Sequence, residues 1–162
     1  MDIHDAIQHL QEMLKDNRIG MLTTLAEDGT LHARPMVVQD LEFKGDLWFF
    51  TNEESDIAAQ VSHNTQVNVS FVGTKGNRFL SASGTAGLVR DPIKLRELWS
   101  SAAGIYFPKG LDDPSLVLVR VTVNTIAWWE GAASPIGRIT NLFKAWADRD
   151  PSALGQSGKA TI

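Results

Sequence analysis

The chain has 162 residues, enough for one domain with one hydrophobic core. Its 43% hydrophobic and 21% charged content is ordinary for a soluble globular domain and suggests neither a disordered chain nor a membrane protein, while the absence of cysteine excludes disulfides, zinc–thiolate sites, iron–sulfur clusters and thiol nucleophiles. The net charge is −4 with Lys and Arg scattered, so no nucleic-acid footprint is expected; no apolar run approaches the ~18 residues of a membrane span, and the acidic amphipathic start is unlike a signal peptide, so a cytoplasmic location is expected.

Residues 3–16 carry Ile3, Ala6, Ile7, Leu10, Met13 and Leu14 at helical spacing, which predicts an amphipathic helix. The β-prone runs 19–25 and 31–38 flank an Asp28-Gly29 turn and predict an antiparallel hairpin. Lys44-Gly45 turns the chain into an aromatic-rich strand over 46–52. Ser55 then reads as the N-cap of a short helix to residue 63, with Ile57, Ala58 and Val61 on one side.

Residues 66–72 alternate as a strand, and the turn that follows leads to a long strand over 78–91 whose Gly84 and Gly87 suggest bulges or bends. Asp91-Pro92 opens a helix that runs through Trp99. A loop over 102–115 precedes strands at 116–124 and 125–131, a last helix is predicted over about 136–147, and the small polar residues from Asp150 are expected to fray. One domain over 1–149 with a flexible tail over 150–162 follows, without repeat or linker. Six or seven antiparallel strands with three or four peripheral helices argue for a mainly β, α+β architecture: a closed or nearly closed β-barrel with flanking helices.

Several chemistries are absent. The turn Gly73-Thr74-Lys75-Gly76-Asn77 lacks the spacing and ending of a triphosphate-binding loop, and no G-x-G-x-x-G opens a helix. His4, His9, His32 and His63 have no metal-ligand spacing, so no metal is expected and their roles are surface or capping ones. Ser81 and Ser83 sit inside a strand, not at a nucleophile elbow.

Arg34-Pro35-Met36 is the remaining anomaly. A proline inside a strand cannot donate to the ladder, so position 35 belongs at an edge or bulge, where the motif serves either as a ligand site or as an edge strand with a surface arginine. A phosphate suits the N-terminus of helix 55–63, with the hydroxyls of Thr51 and Ser55 as donors and Arg34 as charge. A flat apolar wall for a flavin ring has candidates in Met36, Phe50 and Trp129, which serve equally well as core.

The runs ARPM (33–36), LWFFTN with Ser55 (47–55) and LWSSAAGIYFPKGLDDPSLVLVRVTVNTIAWWEG (98–131) carry a resemblance to the general stress protein branch of the pyridoxamine 5′-phosphate oxidase-like flavoproteins. That resemblance implies a split barrel dimerising through its sheet, with two FMN or FAD molecules at the interface. It implies a cofactor-binding set of Arg34, Pro35, Met36, Val37, Phe50, Thr51, Asn52 and Ser55, with Trp129 approaching from the partner subunit. Trp48, Trp99, Trp128, Trp129 and Trp146 suit a large apolar dimer interface.

The chain also departs from that family. Asp56 and Ile57 follow Ser55 where relatives place basic residues, which predicts weaker phosphate binding unless Lys75 or Arg78 compensates. Gln39 replaces a lysine of the vitamin B6 oxidases, and their Tyr-x-x-x-Arg-x-x-x-Ser segment is missing around 96–110, so pyridoxamine phosphate is not the expected substrate. Four readings remain: a flavin-dependent oxidoreductase whose cofactor does the electron chemistry, a flavin-sequestering stress module, a deazaflavin reductase, and a barrel without ligand.

Overall fold

The computed structural model describes residues 2–75, 77–131 and 155–162. Helix α1 (Ile3–Asp16) is capped by Asp2 and buries Ala6, Leu10, Met13 and Leu14, the stripe its periodicity predicts. Strands β1 (Ile19–Leu25) and β2 (Leu31–Val37) form the expected hairpin, with Gly29 at φ +85° in the turn, a conformation that glycine adopts without strain. Strand β3 (Asp46–Asn52) leads through Ser55 into α2 (Asp56–His63), and β4 (Gln66–Val72) and β5 (Arg78–Val89) follow. Helix α3 (Pro92–Leu98) ends one residue before Trp99. The predicted loop over 102–115 contains a single turn of helix, α4 (Ala103–Tyr106), and a 3-10 turn at Gly110–Asp112; both are too short for periodicity to register.

The two runs read as strands at 116–124 and 125–131 are one strand, β6 (Leu116–Gly131). All seven strands lie in one antiparallel sheet of order β2-β1-β4-β5-β6-β3, and β7 (Gly155–Thr161) pairs with β6 as well. One edge of β6 holds β5; the other holds β3 from Leu116 to Thr122 and then β7 from Thr125 to Gly131.

The expected fraying after Asp150 is thus corrected for residues 155–161. Ladder hydrogen bonds to β6, and Ala160 buried against the core, hold a segment whose composition alone gives no strand signal. The helix predicted over 136–147 lies outside the described residues.

The sheet does not close. β2 and β3 are its ends, and they meet through one hydrogen bond, from the Gln39 N–H to the Trp48 carbonyl at 2.9 Å, just past the end of the β2 ladder. Inside the curl, α1 and α2 cover a main core built on Leu22, Phe49, Val69, Phe71, Val119 and Ile126. A second cluster, Phe50, Leu98, Ala103, Leu116 and Leu118, lies under α3 and α4. Residues on β3 alternate between the two: Leu47 and Phe49 enter the main core, Trp48 and Phe50 the second.

The Asp16 carboxylate ties the end of α1 to the β4–β5 turn, accepting hydrogen bonds from the Thr74 N–H (2.9 Å) and hydroxyl (2.6 Å). Those bonds hold its pKa below the ordinary 3.8. A depressed folded-state pKa gives stability that is fully present above the unfolded value and is lost as pH falls through the folded one. Urea unfolding at about pH 6 and about pH 3 is expected to show a smaller loss on acidification in Asp16→Asn than in the wild type.

Candidate functional site

Where β2 passes the side of α2, four side chains form one hydrogen-bonded group. Arg34 stands opposite Leu22 and so points to the inner side of the sheet. Its Nη1 donates to the hydroxyl of Thr24 at 2.6 Å and to the carbonyls of His32 at 3.1 Å and Leu22 at 3.3 Å; its Nη2 donates to Gln60 Oε1 on α2 at 3.1 Å. Gln60 Oε1 also accepts from the Thr24 hydroxyl, and Gln60 Nε2 lies 3.3 Å from His32 Nδ1. Burial lowers the Arg34 pKa and the negative charge of Asp56 works against that shift, so the guanidinium stays a cation.

The N-terminus of α2 adjoins this group. Ser55 is its N-cap, with Oγ accepting from the Ala58 N–H at 3.2 Å and 2.8 Å from the hydroxyl of Thr51, which is almost fully buried. The first N–H groups of a helix have no intrahelical partner, and the Ser55 hydroxyl meets that of Ala58, which leaves those of Asp56 and Ile57 as candidate anion donors. Asn52 anchors the neighbouring loop, donating from Nδ2 to Ser115 Oγ at 2.8 Å while its Oδ1 accepts from the Glu54 N–H. Asp56 is the first residue of the helix, and Glu53 forms an ion pair with Arg90 at 2.9 Å.

The other nominated residues divide between two faces. Pro35 is exposed opposite Met21 on the terminal strand β2, the edge position that a strand proline requires. Val37 lies opposite Ile19, and Met36 packs against the main core opposite Gly20. The Phe50 ring is buried in the second cluster, 5.6 Å from Trp99 and 6.1 Å from Phe107, so its side chain is spent on packing.

Trp129 is 49% exposed, next to Phe79 at 45%. Asn52 pairs with Leu116 at one end of β6, whereas Trp129 is roughly 40 Å of strand contour away at the other. One chain therefore gathers Thr51, Asn52 and Ser55 at the start of α2, ties Arg34 to Gln60 further along the same helix, and leaves Trp129 at the far end of β6.

Within one chain Arg78 lies away from Asp56. It sits beside Trp129's end of β6, paired with Glu12 (2.9 Å) and Glu130 (3.3 Å), and Lys75 lies in the turn where its charge acts on Asp16. Sequence reasoning missed Thr24 and Gln60, whose only signal is a polar residue on the inner face of a strand and another on the flank of an amphipathic helix. It placed His32 on the surface without its partners, and His9 likewise stacks on Trp128 at 4.6 Å. Of the tryptophans offered for an interface, Trp128 is core, Trp99 lies in the second cluster, Trp48 is half-buried beneath Lys94, and Trp129 is exposed; Trp146 is outside the described residues. Among the described residues no group of His, Asp and Glu is arranged to hold a metal, and no helix is long and apolar enough to cross a membrane.

The open antiparallel sheet, with α2 capped beside an arginine-bearing edge strand, is consistent with a split-barrel fold. The chain belongs to the family described as pyridoxamine 5′-phosphate oxidase like, whose sequence model matches residues 5–151. The general stress FMN/FAD binding protein of Xanthomonas citri is 28% identical, with a TM-score of 0.69 over 81% of this chain and 92% of that one. A Clostridium acetobutylicum protein related to general stress protein 26 shares the fold at 22% identity, with a TM-score of 0.70 over 80% of this chain and 91% of that one. The curated protein bli-3 of Neurospora crassa is 24% identical over 160 residues, covering 93% of this chain and 77% of its own length.

Proposed function

We propose that this protein binds a flavin, FMN or FAD, between two copies of the chain, with the phosphate at the Thr51–Ser55 end of α2 and the ring toward Pro35 and the partner copy's Trp129. The observation that carries the reading is the division of the nominated residues. Polar groups suited to a phosphate converge within one chain, while the exposed aromatic suited to the ring stands too far along β6 to serve the same pocket unless a second copy supplies it.

The outward face of the sheet suits that second copy. Pro35, Met21, Ser70, Ser81 and Ala127 form one row across five strands, and Val72, Phe79 and Trp129 form the next. Met21, Val72, Phe79 and Trp129 are all exposed, an apolar patch that a solitary chain would leave in water. The similarity to a relative whose name states FMN/FAD binding supports the cofactor class.

When bound, the flavin supplies the electron chemistry. The chain's part is to place the phosphate on the α2 N–H groups and the two hydroxyls, to hold Arg34 near it, and to exclude water from the ring with the apolar face. Asp56 opposes a phosphate there, which favours moderate affinity.

A second reading, a flavin-holding module without turnover, is favoured by Gln39: its Nε2 is bound to the Val37 carbonyl at 3.0 Å and supplies no cation for a phosphorylated substrate. The test of the first reading is titration of the purified protein with FMN and with FAD, followed by flavin fluorescence and by sedimentation. Quenching at one flavin per chain in a dimer is expected. No quenching by either flavin removes the reading; steady flavin reduction by NADH or NADPH coupled to an acceptor removes the module alternative.

A further inference from the structure

We infer that Asp113 and Ser115, at the entry to β6, are positioning residues for the phosphate end of the site, acting through Asn52 to hold the turn between β3 and α2. The ligand's identity rests on the flavin reading; the hydrogen bonds are a property of the chain.

Residues Glu53 to Ser55 belong to neither β3 nor α2, yet each of their N–H groups is bonded. The Glu53 N–H donates to the Ser115 carbonyl at 2.8 Å, the Glu54 N–H to Asn52 Oδ1 at 2.8 Å, and the Ser55 N–H to the Asn52 carbonyl at 2.9 Å. The turn's own donors are thus spent, and the candidate anion donors of Asp56 and Ile57 begin where it ends. How that turn is held decides how those donors stand relative to the Thr51 and Ser55 hydroxyls.

Two of the three bonds depend on residues 113–115, the first directly and the second through the orientation of Asn52. A carboxylate only accepts: Asp113 Oδ1 takes the Ser115 N–H at 2.9 Å and the Ser115 hydroxyl proton at 2.6 Å. With its one proton committed, Ser115 Oγ accepts from Asn52 Nδ2 at 2.8 Å. That turns Asn52 Oδ1 the other way, onto the Glu54 N–H. The clamp is also fixed on its own side. Pro114 restricts the backbone, the Asp113 N–H donates to the Gly110 carbonyl at 3.1 Å, and the Leu116 N–H returns to the Asp113 carbonyl at 3.2 Å before the chain enters the buried start of β6.

The contribution of this clamp is preorganisation, since a turn already ordered need not be ordered by the ligand. The charge of Asp113 works in the opposite sense, adding to that of Asp56 on the side where a phosphate would sit. Neutralising Asp113 while keeping its acceptor therefore separates the two effects.

The test measures the affinities of FMN and riboflavin side by side, because riboflavin has the ring and ribityl chain and lacks the phosphate. Ser115→Ala and Asp113→Ala are expected to weaken FMN binding about tenfold and to leave riboflavin within about twofold of the wild type. Asp113→Asn keeps Oδ1 as an acceptor and is expected to bind FMN at least as tightly as the wild type, and Ser115→Thr, which keeps the hydroxyl, to retain the wild-type affinity. In the ¹⁵N-labelled full chain without ligand, the Asn52 side-chain amide is expected to exchange with water more slowly in the wild type than in Ser115→Ala. An unchanged ratio of FMN to riboflavin affinity in the folded alanine variants overturns the proposal, as does an equal loss for both flavins or an Asp113→Asn variant as weak as Asp113→Ala. A wild type that binds neither flavin removes the flavin reading and this role with it, an outcome distinct from an unchanged ratio.

Discussion

Replacing Gly84 with alanine is expected to destabilise the protein by more than about 3 kcal/mol, or to prevent folding, whereas Gly87→Ala three residues further along β5 is expected to be neutral or slightly stabilising. A Cβ at Gly84 would stand 2.0 Å from the Thr122 carbonyl oxygen and 3.1 Å from the Val123 Cα, both backbone atoms of β6. The ladder shifts register between Ser83 and Gly84, where β6 holds one extra residue, Asn124. The absent side chain lets the two backbones approach at that bulge. At Gly87 a Cβ meets nothing within 4 Å, and alanine there reduces only the freedom of the unfolded chain. Urea midpoints of the two variants check the pair; equal midpoints would refute the close-approach account.

Arg34→Met is expected to weaken flavin binding about a hundredfold, the cost of losing a charge-assisted donor to phosphate. Methionine keeps the aliphatic bulk of the buried stem, and Thr24 keeps its bond to Gln60, so the fold is expected to survive with a loss of roughly 1 to 2 kcal/mol. FMN and FAD titrations beside urea unfolding separate the two effects. Unchanged affinity in a folded variant would place the phosphate elsewhere.

Elements with strong periodicity or explicit boundary chemistry were legible in the sequence. The stripe of α1, the Asp28-Gly29 turn, the Ser55 cap, the Asp91-Pro92 start of α3 and the alternation from Leu116 all have local causes, and they fall within one or two residues of where those causes put them. The edge position of Pro35 was legible for the same reason.

What depended on long-range pairing was not. Nothing local in Gly155–Thr161 announces a strand; β6 supplies its ladder from more than twenty residues away. Phe50 and Met36 read alike as apolar candidates for a ring wall, and only strand register sends one into each core cluster. The Thr24–Arg34–Gln60–His32 group was invisible because its members come from three elements, and no spacing rule joins a glutamine on a helix flank to an arginine twenty-six residues earlier.

The branching of β6 also bears on biosynthesis. Its pairing with β3 joins residues more than sixty positions apart, so the sheet must wait for a slow non-local closure. Its edge from Thr125 to Gly131, which includes Trp129, stays unpaired until residues 155–161 have left the ribosome. During that interval the nascent chain offers a bare strand edge next to an aromatic patch, the combination that recruits other chains and chaperones. Completion of that edge therefore depends on whether β7 reaches its place before another molecule takes it.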